Sequence, residues 1–240
     1  MGYSRRMSEP NDLIYGVHPV AEALKNPKRK IYSLKASKNA ADRLAAEIAA
    51  RGITPEIVHP NVLDRRLGED AVHQGLLIEA KPLDQPRLDQ IEKSGIVVLL
   101  DQVTDPHNVG AIIRTCAAFN VTALVATARH SPEASAVLFK SASGAYEHVP
   151  FVKVTNLARA MAELKDYGFR ILGLDSDAPE DIAAVDRTPP VAIVLGAEGK
   201  GLRQLTRESC DHLVRLDMNG PIRSLNVSNA CAVTLYALAR

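Results

Sequence analysis

Apolar residues fall along this chain in short runs, parted by polar segments that carry most of the glycine and proline. In the first third, Val17 to Leu24 reads as a helix, Ile31 to Leu34 as a strand, and Ala40 to Arg51 as an amphipathic helix stopped by Gly52. Pro55 to Val58 and Gly75 to Glu79 read as further strands, which makes a small α/β domain of about 70 residues, near the lower end of the usual range. At Lys81 to Pro86 two prolines and polar residues interrupt the pattern and mark a linker.

Beyond that point the alternation becomes regular. Ile96 to Leu100, Thr122 to Ala126, Val149 to Val152, Phe169 to Leu174, Val191 to Leu195 and His212 to Leu216 are predicted strands. Val109 to Phe119, Ser135 to Ser141, Leu157 to Tyr167 and Val227 to Ala239 are predicted helices. Strands alternating with helices of this length imply a mostly parallel sheet covered on both faces.

Composition narrows the picture. With 240 residues, 46% of them hydrophobic, the chain can bury one large core or two modest ones. No apolar run is long enough to span a membrane, and the polar residues 1–11 lack the apolar stretch of a secretory signal, so they read as a disordered leader of a cytoplasmic protein. Cys116, Cys210 and Cys231 are widely spaced in apolar or helical contexts and read as reduced core thiols. The seven histidines are scattered singly and no CxxC pair exists, so no metal site is expected. A net charge of +1 excludes a protein held to nucleic acid by bulk charge alone. One stretch departs from that balance: Lys25, Lys28, Arg29, Lys30, Lys35 and Lys38 occur with no acidic residue among them, either as a solvated face or as an edge that contacts phosphates.

Candidate chemistry lies in three polar islands, each following an apolar run: DPHNVGAIIR (Asp105 to Arg114), LGAEGKGL (Leu195 to Leu202) and IRSLNVSNA (Ile222 to Ala230). In α/β proteins, loops at strand ends converge on ligands, so such islands point to a binding site. In the first, Leu99-Leu100-Asp101 ends a buried strand that Pro106 stops from continuing, and Asn108 stands where a helix N-cap belongs. Arg114, six residues on, has the apolar neighbours Ile112, Ile113, Cys116 and Ala117; position alone leaves open whether it crosses a buried surface or lies in solvent. The second island sets Gly196, Gly199 and Gly201 around Glu198 and Lys200, which permits positive φ and close backbone approach. Its spacing is not that of a phosphate-binding loop, Leu202 occupies the Ser/Thr position, and GxGxxG is absent. The third island, with Ser224 and Asn226 as capping types, enters a helix whose small residues Ser228, Ala230, Cys231 and Ala232 allow close packing.

In this order, NVGAIIR, LGAEGKGL and SLNVSNA resemble the three motifs of the SpoU/TrmH family of RNA ribose 2′-O-methyltransferases, part of the SPOUT class. IYGVHPVAEAL and HQGLLIEA resemble the L30e-like RNA-binding domain of many members, which places the similarity nearest the bacterial branch that methylates a guanosine of 23S rRNA. The resemblance divides the chain into a leader (1–11), an L30e-like substrate-binding domain (12–81), a linker (82–94) and a catalytic domain (95–240). It implies an α/β fold whose C-terminal parallel sheet is threaded into a deep trefoil knot, an exception to the unknotted rule. It also implies S-adenosylmethionine bound in the knot by Leu195, Gly196, Gly201, Leu216 and Leu225, and a homodimer joined through the knotted domains.

Carried over by motif, the acting residues are Asn108, Arg114, Glu198, Ser224 and Asn226. An arginine stays protonated, so Arg114 is expected to pin a phosphate as a forked donor rather than serve as a literal base. Asn108, Ser224 and Asn226 would orient the ribose, with Glu198 holding Arg114 or a backbone amide. Lys25, Lys28, Arg29, Lys30, Lys35 and Lys38 would dock rRNA. A tRNA 2′-O-methyltransferase, a non-catalytic RNA-binding factor and a small-molecule enzyme using a nucleotide cofactor are the competing readings. The usual short tRNA forms lack the first domain, intact motif residues argue against the non-catalytic factor, and the absence of a phosphate fingerprint argues against the third.

Overall fold

The computed structural model describes residues 11–186, 188, 190–221 and 224–239; all of the expected leader except Asn11 lies outside them, as do Ile222 and Arg223 of the third island. The chain forms two compact units, one of residues up to Asp84 together with Ala134–Lys140, the other of Gln85–Glu133 and Ser141–Arg240.

In the first unit, β1 (Asp12–Tyr15), β2 (Ile31–Ala36), β3 (Glu56–Ile57) and β4 (Leu76–Ala80) lie in the order β1-β4-β2-β3. β4 is antiparallel to β1 and β2, while β3 runs parallel to β2. Around them are α1 (Val17–Lys25), α2 (Lys38–Arg43), α3 (Ala45–Arg51) and α4 (Pro60–Leu67). The single amphipathic helix expected over Ala40 to Arg51 is two, broken where buried Leu44 leaves helical geometry (φ −110°, ψ 23°) and ends one helix as it begins the next. Gly52 stops α3 in the left-handed region at φ 67°, as its position implied. β1 and α4 were not anticipated: DLIY is too short for a period to show, and α4 buries only Leu63 among polar neighbours.

Arg29 corrects the reading of the basic run. Its side chain is fully buried, and its guanidinium donates to Asp12 (2.6 Å) and to the Lys81 carbonyl (3.1 Å) and lies 5.8 Å from the centroid of the Phe139 ring. It is a structural ion pair of this unit, unable to reach a phosphate.

The second unit is a sheet of seven strands: β5 (Ile96–Asp101), β6 (Ala123–Thr127), β7 (Phe151–Val154), β8 (Arg170–Leu174), β9 (Glu180–Asp181), β10 (Val191–Gly196) and β11 (His212–Arg215). Its order is β7-β6-β5-β10-β8-β11-β9 and every pairing is parallel. The helices are α5 (Pro106–Ala118), α6 (Ala136–Ala142, mostly within the first unit), α7 (Leu157–Asp166), α8 (Gln204–Glu208) and α9 (Val227–Leu238). The parallel sheet follows from the sequence, because strands buried on both faces read as continuous apolar runs. Val97 to Leu100 and Val191 to Leu195 are such runs, all at most 1% exposed, in the two central strands. Met161 and Leu164 of α7 pack on one face with Leu99, Val125, Ile171 and Val194. Leu88 and Ile91, inside the interval expected as a linker, are buried in that same core, and Leu88–Gln90 forms a 3₁₀ turn. β9 and α8, two and five residues long, were not anticipated either.

The chain steps from β5 outward to β6 and β7, then crosses to β8, and β10 fills the gap between β5 and β8. Where successive connections leave a parallel sheet in opposite directions, a crevice opens beyond the carboxyl ends of the strands. Among the described residues no helix is long and apolar enough to cross a membrane.

Candidate active site

β5, β8 and β10 end on one edge of the sheet, and two of them end in a carboxylate. Asp101 closes β5, wholly buried, and accepts from the Arg203 backbone N–H (2.9 Å) and Nε (2.6 Å). Asp175 follows β8 and pairs with Arg207. Arg203 and Arg207 lie four residues apart, at the cap and in the last turn of α8, so two strand ends clamp the segment that follows the second island. From sequence, Asp101 is legible only as the end of a strand, and Asp175, Arg203 and Arg207 do not stand out. The available signal was an acid directly after a buried apolar run, in VVLLD and again in ILGLD.

Between clamp and strand, the second island folds back on itself. The Gly201 N–H donates to the Ala197 carbonyl at 2.8 Å, with Gly199 at φ 75° and Gly201 at φ 64°. A Cβ at Gly196 would stand 2.2 Å from the Gly201 carbonyl carbon, so the close approach that this glycine allows is to its own loop.

This loop walls a cavity of about 530 Å³. The expected cofactor residues Leu195, Gly196, Gly201, Leu216 and Leu225 all line it, as do Glu198, Ser224 and Asn226. Its apolar and polar walls suit a ligand with a planar hydrophobic part and hydrogen-bonding groups, and the volume lies in the ordinary range for small-molecule sites.

Asn226 joins the first and third islands. As N-cap of α9 its Oδ1 accepts from the Ser228 N–H (2.9 Å) and Oγ (2.6 Å), while its Nδ2 donates to Asn108 Oδ1 at 3.0 Å. Asn108 is not itself a cap. Asp105 holds that place, accepting from the His107 N–H at 3.0 Å, because Pro106 has no N–H to satisfy and suits the first helical position. Asn108 therefore sits in the first turn of α5 with its carbonyl already engaged, and what it can offer a substrate is its amide N–H donors. His107 Nδ1 lies 3.2 Å from Ser141 Oγ, a neighbour the sequence did not suggest.

Arg114 stands apart from this group. Six residues turn a helix through about 600°, so Arg114 projects about 120° away from Asn108. It is exposed and has no ion-pair partner among the described residues. Glu198 is exposed as well, and the expected Glu198–Arg114 contact is not made within one chain. The thiols fit their expected place: all three are free, Cys116 and Cys231 are buried side by side where α5 packs on α9, and the hydrogen bond from Cys231, then burial, pushes the Cys116 thiol up. Burial pushes Cys210 up to about 12. Among the described residues no group of His, Cys, Asp or Glu is placed to hold a metal ion.

In the first unit the basic run divides by partner. Lys25 pairs with Glu22 (2.9 Å), whose hydrogen bond raises the lysine pKa, and Lys35 pairs with Glu56. Lys28, Lys30 and Lys38 are exposed and have no ion pair among the described residues.

Comparison with known proteins covers both units. Residues 95–236 match the model of the SpoU rRNA Methylase family, and residues 13–86 match that of the RNA 2′-O ribose methyltransferase substrate-binding domain. The 23S rRNA (guanosine-2′-O-)-methyltransferase RlmB of Vibrio cholerae is 40% identical over 96% of this chain and 97% of its own. The putative TrmH family tRNA/rRNA methyltransferase YacO of Bacillus subtilis is 34% identical over 98% of this chain and 97% of its own. Among solved structures, the SpoU methyltransferase AviRb of Streptomyces viridochromogenes in complex with AdoMet shares the fold with a TM-score of 0.81 at 23% identity, covering all of this chain and 93% of that one. The TrmH/SpoU tRNA modifying enzyme of A. aeolicus, 29% identical with a TM-score of 0.56, covers 65% of this chain and 76% of its own.

Proposed function

The chain belongs to the SpoU family of RNA methylases, and from that premise we propose that it transfers a methyl group from S-adenosylmethionine to the ribose 2′-hydroxyl of a guanosine in 23S rRNA. The observation that carries this reading is the meeting of the three islands at one sheet edge: the second and third wall the cavity, and Asn226 ties them to Asn108 of the first. The V. cholerae rRNA enzyme aligns over 96% of this chain, whereas the A. aeolicus tRNA enzyme matches only 65% of it, which favours an rRNA substrate. Action on rRNA fits a cytoplasmic protein.

The cavity suits the cofactor. Leu195, Leu216 and Leu225 offer apolar surface to an adenine ring, and the backbone from Gly196 to Gly201 offers polar groups beside it. When bound, S-adenosylmethionine supplies an electrophilic methyl group on a sulfonium, an excellent leaving group. The chain must then align the hydroxyl and assist loss of its proton. Asn108 and Asn226, with both carbonyl oxygens engaged, act as amide donors that orient substrate oxygens, and Ser224 at the cavity wall assists them. Arg114, permanently charged, pins the phosphate of the target nucleotide.

The site is completed by a second copy of this chain. Val233 (46% exposed) and Tyr236 (49%) lie three residues apart on the outer face of α9, a stripe that a homodimer would cover. Arg114 and Glu198, both exposed and not paired with each other within one chain, are then left to act between chains.

Methyl transfer from radiolabelled S-adenosylmethionine to total RNA lacking the modification, followed by nucleoside analysis and size separation, tests this reading. Label recovered as 2′-O-methylguanosine in 23S rRNA is the expected result. Label in tRNA, the other substrate named for the B. subtilis relative, would keep the chemistry and move the target. Absence of both transfer and cofactor binding would leave a non-catalytic RNA-binding factor.

A further inference from the structure

We propose that Tyr32, flanked by Lys28 and Lys30, is a stacking platform for one unpaired base of the RNA substrate, an inference that rests on reading this chain as an RNA methyltransferase. The basic run does not form a uniform charged face. Lys28 and Lys30 are exposed, and Arg29 between them is buried on Asp12, so both lysines are carried outward while the residue between them anchors the backbone. Extended chain has a period of two, which puts Tyr32 on the side of Lys30.

The strand register adds a second, independent observation. Ile31 lies opposite Ala80 and Ser33 opposite Glu79, so β2 spends two residues where β4 spends one, and Tyr32 is the extra residue. A bulge of this kind lifts a residue out of the ladder and re-aims its side chain. Tyr32 is 50% exposed, in a chain that is 4% aromatic and has no tryptophan. Lys30 Nζ lies over its ring, 5.6 Å from the centroid, and half of the residue's surface stays open to a ligand. An ammonium group on a half-exposed aromatic ring, with a second exposed lysine two residues before it, matches a phosphodiester strand whose base has left its stack. A fully paired helix keeps its bases inside and offers such a platform nothing, so this feature selects loops and bulges.

The test uses the full chain and two labelled RNAs of equal length, a stem–loop and a perfect duplex, with binding measured over a range of KCl. Y32A should weaken stem–loop binding roughly 5- to 100-fold and leave its salt slope unchanged, while Y32F binds like the wild type because the π-face persists. The double change Lys28→Gln with Lys30→Gln should flatten the slope by about 1 to 2. Duplex binding should not respond to Y32A. Stem–loop binding unaltered by Y32A, an equal loss on duplex, or failure of Y32F to restore binding would each overturn the platform. Methyl transfer by the wild-type chain reports separately on the parent reading, since it does not depend on Tyr32 being a contact.

Discussion

At the scale of single residues, neighbours in sequence take opposite roles. Arg29 is enclosed with Asp12 while Lys28 and Lys30 remain in water, although all three look alike in KNPKRK. Breaking a buried pair leaves an uncompensated charge, so Arg29→Gln is expected to cost about 3–5 kcal/mol in urea unfolding. Lys28→Gln and Lys30→Gln should each stay within about 0.5 kcal/mol, as surface changes usually do. Equal stabilities for the three variants would show Arg29 to be solvated. Nothing in the run itself distinguishes Arg29, because its partners come from β1, from Lys81 and from Phe139, all distant in sequence. The acids that neutralise Lys25 and Lys35, Glu22 and Glu56, likewise lie outside it. By contrast, Asn226 was legible as a capping type from local sequence, since capping is a contact with a residue two positions away, although the same reasoning put the cap of α5 on Asn108 instead of Asp105.

Elements were legible where burial is continuous or periodic over several residues. β5 and β10 read as strands because both their faces are covered, and α7 and α9 because their length lets a period show. β1, β9 and α8 are too short for either signal, and the break at Leu44 is set by packing. The glycine island was legible as a tight turn but not in its detail, since what crowds Gly196 is the backbone of Gly201 returning across it. That distinction predicts two unlike alanine variants. G196A must displace backbone 2.2 Å away, so it should open the loop, lower stability by about 1–3 kcal/mol and abolish cofactor binding in calorimetry. G199A meets no atom within 4 Å and bears only the cost of a positive φ, about 1–2 kcal/mol, so its cofactor affinity should survive. Cofactor binding by G196A at wild-type strength would remove the loop from the site.

For the whole molecule, the decisive fact is that one chain assembles only part of the proposed catalytic set. Asn108 and Asn226 are bonded to each other and Glu198 and Ser224 line the same cavity, but Arg114 faces away from Asn108 on α5. If a two-fold axis brings α9 against its copy, each site draws Arg114 from one chain and Glu198, Ser224 and Asn226 from the other. An isologous dimer then contains two such composite sites. Arg114→Ala and Asn226→Ala homodimers should both be inactive in single-turnover methylation. Mixed in equal amounts and allowed to exchange, half of the dimers become heterodimers, in each of which one site carries both lesions and the other none. Activity should therefore return to about a quarter of the wild-type level, a recovery that symmetry dictates and no change in either chain's fold can imitate. Sites contained within single chains would give no recovery at any mixing ratio, because every site would still carry one lesion. With an affinity tag on one variant, co-purification of the other reports exchange and sedimentation reports the oligomeric state: exchanged dimers without activity place Arg114 in its own chain's site, and monomers remove the interface on α9.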